Sequence, residues 1–147
     1  MSRVEKSILI EYSAQQMFDL VEDIESYPVF LPWCSATRVN FRGERRTVAT
    51  LYVNFHGVKA HVTTENAKEP PSRMGLKLVD GPFRHLEGGW CFKSLAEQAC
   101  KVEFHISYEF SNRLFEKIIG PVFHQIANTF VDAFVKRARQ VYGAPHD

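Results

Sequence analysis

From Phe115 to Ala138 the apolar residues recur every three or four positions. Phe115, Ile118, Ile119, Val122, Phe123, Ile126, Ala127, Phe130, Val131, Phe134 and Ala138 make one stripe, and Glu116, Lys117, Asn128, Asp132, Lys136 and Arg139 take the opposite face. This spacing predicts an amphipathic helix over 113–142, stopped by Gly143. If continuous it is ~45 Å long. Gly120-Pro121 interrupts it, so Pro121 is expected to kink the helix or to break it briefly between collinear halves. A stripe this long has to be covered, and that demand restricts what the preceding residues can build.

Those residues run at period two. Val4–Tyr12 reads as a strand with Ile8, Ile10 and Tyr12 on one face. Ser13 is a candidate N-cap with Gln16 as its capping-box partner, and Met17, Leu20, Val21 and Ile24 follow at helical spacing. Thr37, Val39 and Phe41 share a strand face before a turn at 42–44. Thr47, Ala49, Leu51, Val53 and Phe55 alternate up to His56-Gly57, a two-residue turn. Keeping one apolar face across that turn sets Phe55 opposite Val58, Val53 opposite Ala60 and Leu51 opposite Val62. Met74, Leu76 and Leu78 follow a break at 69–72. After the turn at 80–82, Leu86, Trp90 and Phe92 are answered by Val102, Phe104, Ile106, Tyr108 and Phe110. A turn centred on Glu97 pairs Trp90 with Phe104 and Phe92 with Val102. Cys91 and Cys100 then do not face each other, so no disulfide is expected between them.

The element order is strand, two short helices, six strands and one long helix, an α+β pattern. We expect a curved antiparallel sheet of about seven strands wrapped around the C-terminal helix, as a single domain over 1–147. Small residues such as Ala49 and Ala60 among Phe and Leu favour a hollow between the two layers.

YPVFLPWC, residues 27–34, fits neither element, because its two prolines oppose both a long helix and a central strand. Pro28 is expected to start one helical turn, Val29-Phe30-Leu31, that Pro32 ends. The segment reads as an apolar plug between helix and sheet, either closing the core or walling a cavity.

Bulk properties narrow the function. A formal charge of +1 provides no global field toward nucleic acid or membrane. No apolar run approaches a membrane span, and the N-terminus lacks the apolar stretch of a leader. Three cysteines without C-x-x-C spacing fit reduced thiols and a cytoplasmic location. No G-x-S-x-G, Walker or H-E-x-x-H motif is present. Gly88-Gly89 reads as a bulge or a close backbone approach. His56, His61, His85, His105, His124 and His146 are scattered, with His61 and His105 on the outer strand face, so no metal site is expected. Asp80, Arg84 and Glu87 near one strand junction read as a solvated turn, as contacts to a polar headgroup or as acid–base groups. Arg42, Arg45 and Arg46 at a hairpin tip, and Lys136, Arg137 and Arg139 in the last helical turns, read as solvated or dipole-complementing charge, or as contacts to rRNA phosphates or an anionic membrane surface. No aromatic series accompanies either cluster, which argues against base-specific reading.

The stretches VEDIESYPVFLPWC, LVDGPFRHLEGGWCF, YEFSNRLFEKIIGPVF and IANTFVDAFVKRARQVYG together resemble the bacterial branch of the coenzyme Q-binding, START-like family, whose bacterial members are also called ribosome-association toxin RatA. The resemblance spans nearly the whole chain. It implies a helix-grip fold with an internal hydrophobic cavity and non-enzymatic binding of ubiquinone or a similar isoprenoid lipid, without a covalent cofactor, in support of respiration. For the RatA branch it implies binding to the large ribosomal subunit and a block of subunit association. The wider superfamily implies a third reading, a polyketide cyclase. DNA is not an expected partner; transient contact with the inner-membrane surface is. Phe30, Leu31, Trp33, Leu51, Phe83, Trp90, Phe104, Tyr108, Phe123 and Phe130 are then the candidates for the cavity wall or mouth, with Trp33 and Phe123 bordering it and Phe130 deeper.

Overall fold

The computed structural model describes residues 1–144. Its strands are β1 (Ser2–Ile10), β2 (Cys34–Arg42), β3 (Arg46–Phe55), β4 (Val58–Glu69), β5 (Arg73–Asp80), β6 (Phe83–Ala96) and β7 (Ala99–Phe110). They form one antiparallel sheet in the order β1-β7-β6-β5-β4-β3-β2. Between the edge strands β1 and β2 the chain builds α1 (Ala14–Glu22), a 3₁₀ turn (Ile24–Ser26) and α2 (Tyr27–Phe30). The chain then returns as α3 (Arg113–Tyr142), which the curved sheet grips. This is the expected α+β helix-grip architecture.

Local chemistry accounts for the elements. Ser13 Oγ accepts from the Gln16 N–H at 3.0 Å, and the Gln16 side chain accepts from the Ser13 N–H at 2.8 Å, which satisfies two orphan donors of α1. Asn112 caps α3 by accepting from the Phe115 N–H at 2.8 Å. The β3–β4 register is the expected one, with Phe55↔Val58, Val53↔Ala60 and Leu51↔Val62. The β6–β7 register likewise pairs Trp90 with Phe104 and Phe92 with Val102.

Several expectations need correction. β1 ends at Ile10, but Tyr12 stays buried and its hydroxyl donates to the Gly143 carbonyl at 2.6 Å, tying β1 to the end of α3. Phe41 does not share a face with Val39. A bulge between them turns its ring outward, where the Arg46 guanidinium lies 4.6 Å from its centre. α3 is continuous through Pro121. Pro121 and Lys117 are both exposed, so the carbonyl that loses its N–H partner lies on the wet side of the helix. Phe115 and Ile118 are exposed, because the stripe leaves the sheet in the first turns of α3. α3 is also the one described helix long and apolar enough to cross a membrane, yet Val122, Phe123, Ile126, Ala127, Val131, Phe134 and Ala138 are buried against this fold.

The plug also differs in detail. Its helical turn is Tyr27–Phe30, and Leu31 is already extended at φ −103°, ψ 105°, the conformation that the following Pro32 demands. The Tyr27 hydroxyl donates to the Val21 carbonyl at 2.5 Å and so locks the plug to α1.

Cys34, Cys91 and Cys100 are free thiols. Burial pushes Cys34 and Cys100 up to about 11. At pH 8 only about one in a thousand of either is the reactive thiolate. Thiol titration of the folded protein is therefore expected to show Cys91 reacting first and the other two only on unfolding. Unfolded without reductant, the protein should yield all three; a yield of one would disprove the free-thiol assignment.

Candidate functional site

Between sheet and α3 lies a cavity of about 90 Å³. Alternation along β3 aims Ala49, Leu51 and Val53 into it, and β4 contributes Val62, Thr64 and Asn66. Met74 and Leu76 of β5, Leu86 and Trp90 of β6, and Phe104 and Ile106 of β7 continue the wall. α3 closes it with Phe123, Ile126, Ala127 and Phe130, while Val21, Ile24, Tyr27 and Trp33 close the α1–α2 end.

Of the residues expected at the wall, the structure brings Trp33, Leu51, Trp90, Phe104, Phe123 and Phe130 together around this one space. Phe130 is not deeper than Trp33. The two rings are neighbours at 6.1 Å, and Phe130 is only half-buried. Phe30, Leu31, Phe83 and Tyr108 lie outside the wall. Phe30 packs on Phe134 at 5.1 Å beneath the Arg137 guanidinium, and Leu31 is core. Phe83 and Tyr108 join Phe110 and Phe123 in an aromatic group where the Tyr108 hydroxyl meets Nδ1 of His124.

The polar candidates belong elsewhere. Asp80 is exposed and pairs with His61 Nε2 at 2.9 Å, which holds its carboxyl below the usual range. Arg84 reaches Glu109 at 3.3 Å, and Glu87 is exposed on the same outer face. Glu87 alternates away from the cavity-lining Leu86 and Trp90, whereas register shifts at Asp80 and Arg84 take these two off the inward alternation of their strands. His61 and His105 are exposed, and no cluster of metal-ligating side chains occurs among the described residues; His146 lies outside them.

The hairpin arginines do not form a free patch. Arg42 clamps Glu25 with two bonds of 2.6 and 2.8 Å and also reaches Glu22 Oε1 at 3.2 Å. Its hydrogen bonds hold Glu25 below the usual carboxylate range, and the Glu25 bond raises Arg42 itself. Arg46 sits over Phe41, with Glu65 at 3.7 Å. Arg45, Lys136 and Arg139 are exposed, whereas Arg137 is half-buried against Phe30.

A family profile described as polyketide cyclase / dehydrase and lipid transport matches residues 10–135. The chain belongs to this family. It is 43% identical over 143 residues to the ribosome association toxin RatA of Vibrio cholerae, covering 97% of this chain and 99% of that protein. It is 31% identical to the mitochondrial coenzyme Q-binding protein COQ10 homolog B of Xenopus laevis, over 94% of this chain and 58% of that one. The Zhui aromatase/cyclase of a Streptomyces species superposes with a TM-score of 0.77 over 95% of each chain at 15% identity, a likeness of fold alone.

In this member of the polyketide cyclase and lipid transport family the sequence reading missed Thr64 and Asn66, the polar stretch of the wall. Thr64 Oγ1 donates to Asn66 Oδ1 at 2.7 Å, and Asn66 is 5% exposed. Across the β3–β4 ladder from Asn66 stands Thr47, whose hydroxyl donates to Glu22 Oε1 at 3.1 Å. The same oxygen takes Lys68 Nζ at 2.8 Å. The available signal was a break in pattern. The inward positions of β4 run Val62, Thr64, Asn66, Lys68, placing polar residues where a plain core needs apolar ones.

Proposed function

We propose that this protein is a non-enzymatic binder of a hydrophobic isoprenoid lipid, with ubiquinone or a close analogue as its ligand. The observation that carries this reading is the cavity wall itself. Among the described residues it is aromatic and aliphatic apart from the thioether of Met74, the hydroxyls of Tyr27 and Thr64 and the amide of Asn66, with no carboxylate, imidazole or cationic side chain. A cyclase needs a group that moves protons at working pH. Tyr27 does not serve, because its hydroxyl is engaged with Val21 and burial raises its pKa strongly. A wall of this kind does suit a chain whose methylenes gain about 0.8 kcal/mol each on leaving water. The name of the Xenopus relative supports the same ligand class. A cavity of about 90 Å³ is smaller than a quinone ring with its first isoprene unit, so binding requires side chains at the wall to swing aside.

The test uses a feature of the chain. Both of its tryptophans, Trp33 and Trp90, line the cavity. Titration with a short-chain ubiquinone should quench their fluorescence and saturate, and Phe130→Ala should weaken binding several-fold. Because Phe130 borders existing space, that truncation should cost less than the ~3–5 kcal/mol typical of a tightly packed Phe. A large stability loss with unchanged quinone affinity would make Phe130 ordinary core and defeat the assignment.

A second reading, association with the large ribosomal subunit, rests on the relatives named RatA. With Arg42 and Arg46 engaged by carboxylates, its phosphate contacts fall to Arg45, Lys136 and Arg139. Salt-sensitive co-sedimentation with large subunits that is lost on Lys136→Ser/Arg139→Ser supports it; co-sedimentation indifferent to both salt and substitution removes these residues from it.

A further inference from the structure

Asn66 is 5% exposed, and its amide nitrogen carries two N–H donors. Among the described residues its only hydrogen-bond partner is Sδ of Met74 at 3.9 Å, a weak thioether acceptor. A thioether accepts and does not donate, so the nitrogen, and not the oxygen, faces Met74; Thr64 occupies the oxygen. One N–H therefore has no partner among the described residues and lies in an apolar cavity, where an unsatisfied donor is costly. Thr64, Asn66 and Met74 all line that cavity.

We infer that Asn66 is the specificity-determining residue of the cavity, donating to an uncharged hydrogen-bond acceptor, such as a ring carbonyl, on the head of an otherwise apolar ligand. This inference rests on the lipid-binding reading above. The charge of the head follows from the surroundings. Among the described residues no cation lines the cavity, and the buried ammonium nearby, Lys68 Nζ, is already engaged by Glu22 Oε1. A carboxylate or phosphate head would be buried without a counter-charge, which is strongly unfavourable. A neutral carbonyl needs only the one donor that Asn66 has free. The site thus selects a quinone or ketone head over both a bare hydrocarbon and a fatty acid of equal length.

Three probes with ten-carbon chains test this: decylubiquinone, decylbenzene and decanoic acid, each titrated by calorimetry into the wild type and Asn66→Leu. The wild type is expected to prefer decylubiquinone by about tenfold over decylbenzene, and to bind decanoate least. Asn66→Leu is expected to erase the quinone preference while binding decylbenzene as well as or better than the wild type. In the wild type alone, the infrared spectrum of bound decylubiquinone should show one carbonyl stretch lowered relative to the other, a readout that does not depend on the variant folding. Binding of both apolar probes with the quinone preference intact in Asn66→Leu, or two unshifted carbonyls, overturns the role of Asn66 and leaves the cavity reading standing. Binding of neither probe by the wild type overturns both.

Discussion

Replacing Gly88 with alanine is expected to destabilise the protein by about 4 kcal/mol or more, a large share of the ~5–15 kcal/mol that holds a domain together. A Cβ at this position would stand 2.1 Å from the carbonyl oxygen of His105 and 2.8 Å from Cα of Ile106. Both obstacles are backbone of β7, and neither can rotate away. Gly88 pairs with Ile106 within the regular β6–β7 ladder, so the strands would have to part where the sheet closes around α3. The control is Gly75→Ala on β5. There the nearest atom is Cβ of Ala67 at 3.8 Å, an ordinary contact, and the effect should stay within about 0.5 kcal/mol. Urea unfolding midpoints of the two variants settle the matter. Equal midpoints would show that β6 and β7 separate easily and that the close approach carries no energy.

The second large effect is expected at Phe134, which is fully buried. Its ring meets Tyr27 at 5.4 Å, Phe30 at 5.1 Å, Trp90 at 5.2 Å and Phe130 at 5.1 Å. It is the joint at which the plug, β6 and α3 converge. Phe134→Ala removes one ring from every one of these contacts and leaves a hole too enclosed to collapse, at ~3–5 kcal/mol. Phe130, one turn earlier on α3, already borders open space and should cost clearly less. Denaturant titration of the two variants side by side tests this ordering. If Phe130→Ala proves the more damaging, the cavity is better packed than its geometry shows, and the distinction between wall and core fails.

The contrast between Phe130 and Phe134 marks the limit of what periodicity could reveal. Both sit on the same stripe at the same spacing, and a cavity wall and a core face use the same residues. Only the depth of the facing sheet separates them. The same limit misplaced Phe30, Leu31, Phe83 and Tyr108, all large apolar residues of the predicted inner surface that pack on neighbours rather than on the cavity. Phe41 was misread for a different reason, since a bulge shifts the alternation by one residue and nothing in the local sequence announces it. Arg42 looked like free charge because its partners Glu22 and Glu25 lie 20 and 17 residues away, across a helix and a strand.

Alternation and helical spacing by themselves determined the element order, the β3–β4 and β6–β7 registers, the absence of a Cys91–Cys100 pairing and the helix that the sheet must cover. Those features follow from short-range rules: a strand flips faces with every residue, a helix returns every 3.6, and a tight turn fixes the pairing beyond it. The tertiary structure alone decided where the layers leave a gap, which aromatic rings border it, and that Asn66 is left facing it with a spare N–H. Those outcomes depend on how far α3 stands from the sheet and on side chains meeting from distant strands, distances that no local pattern encodes.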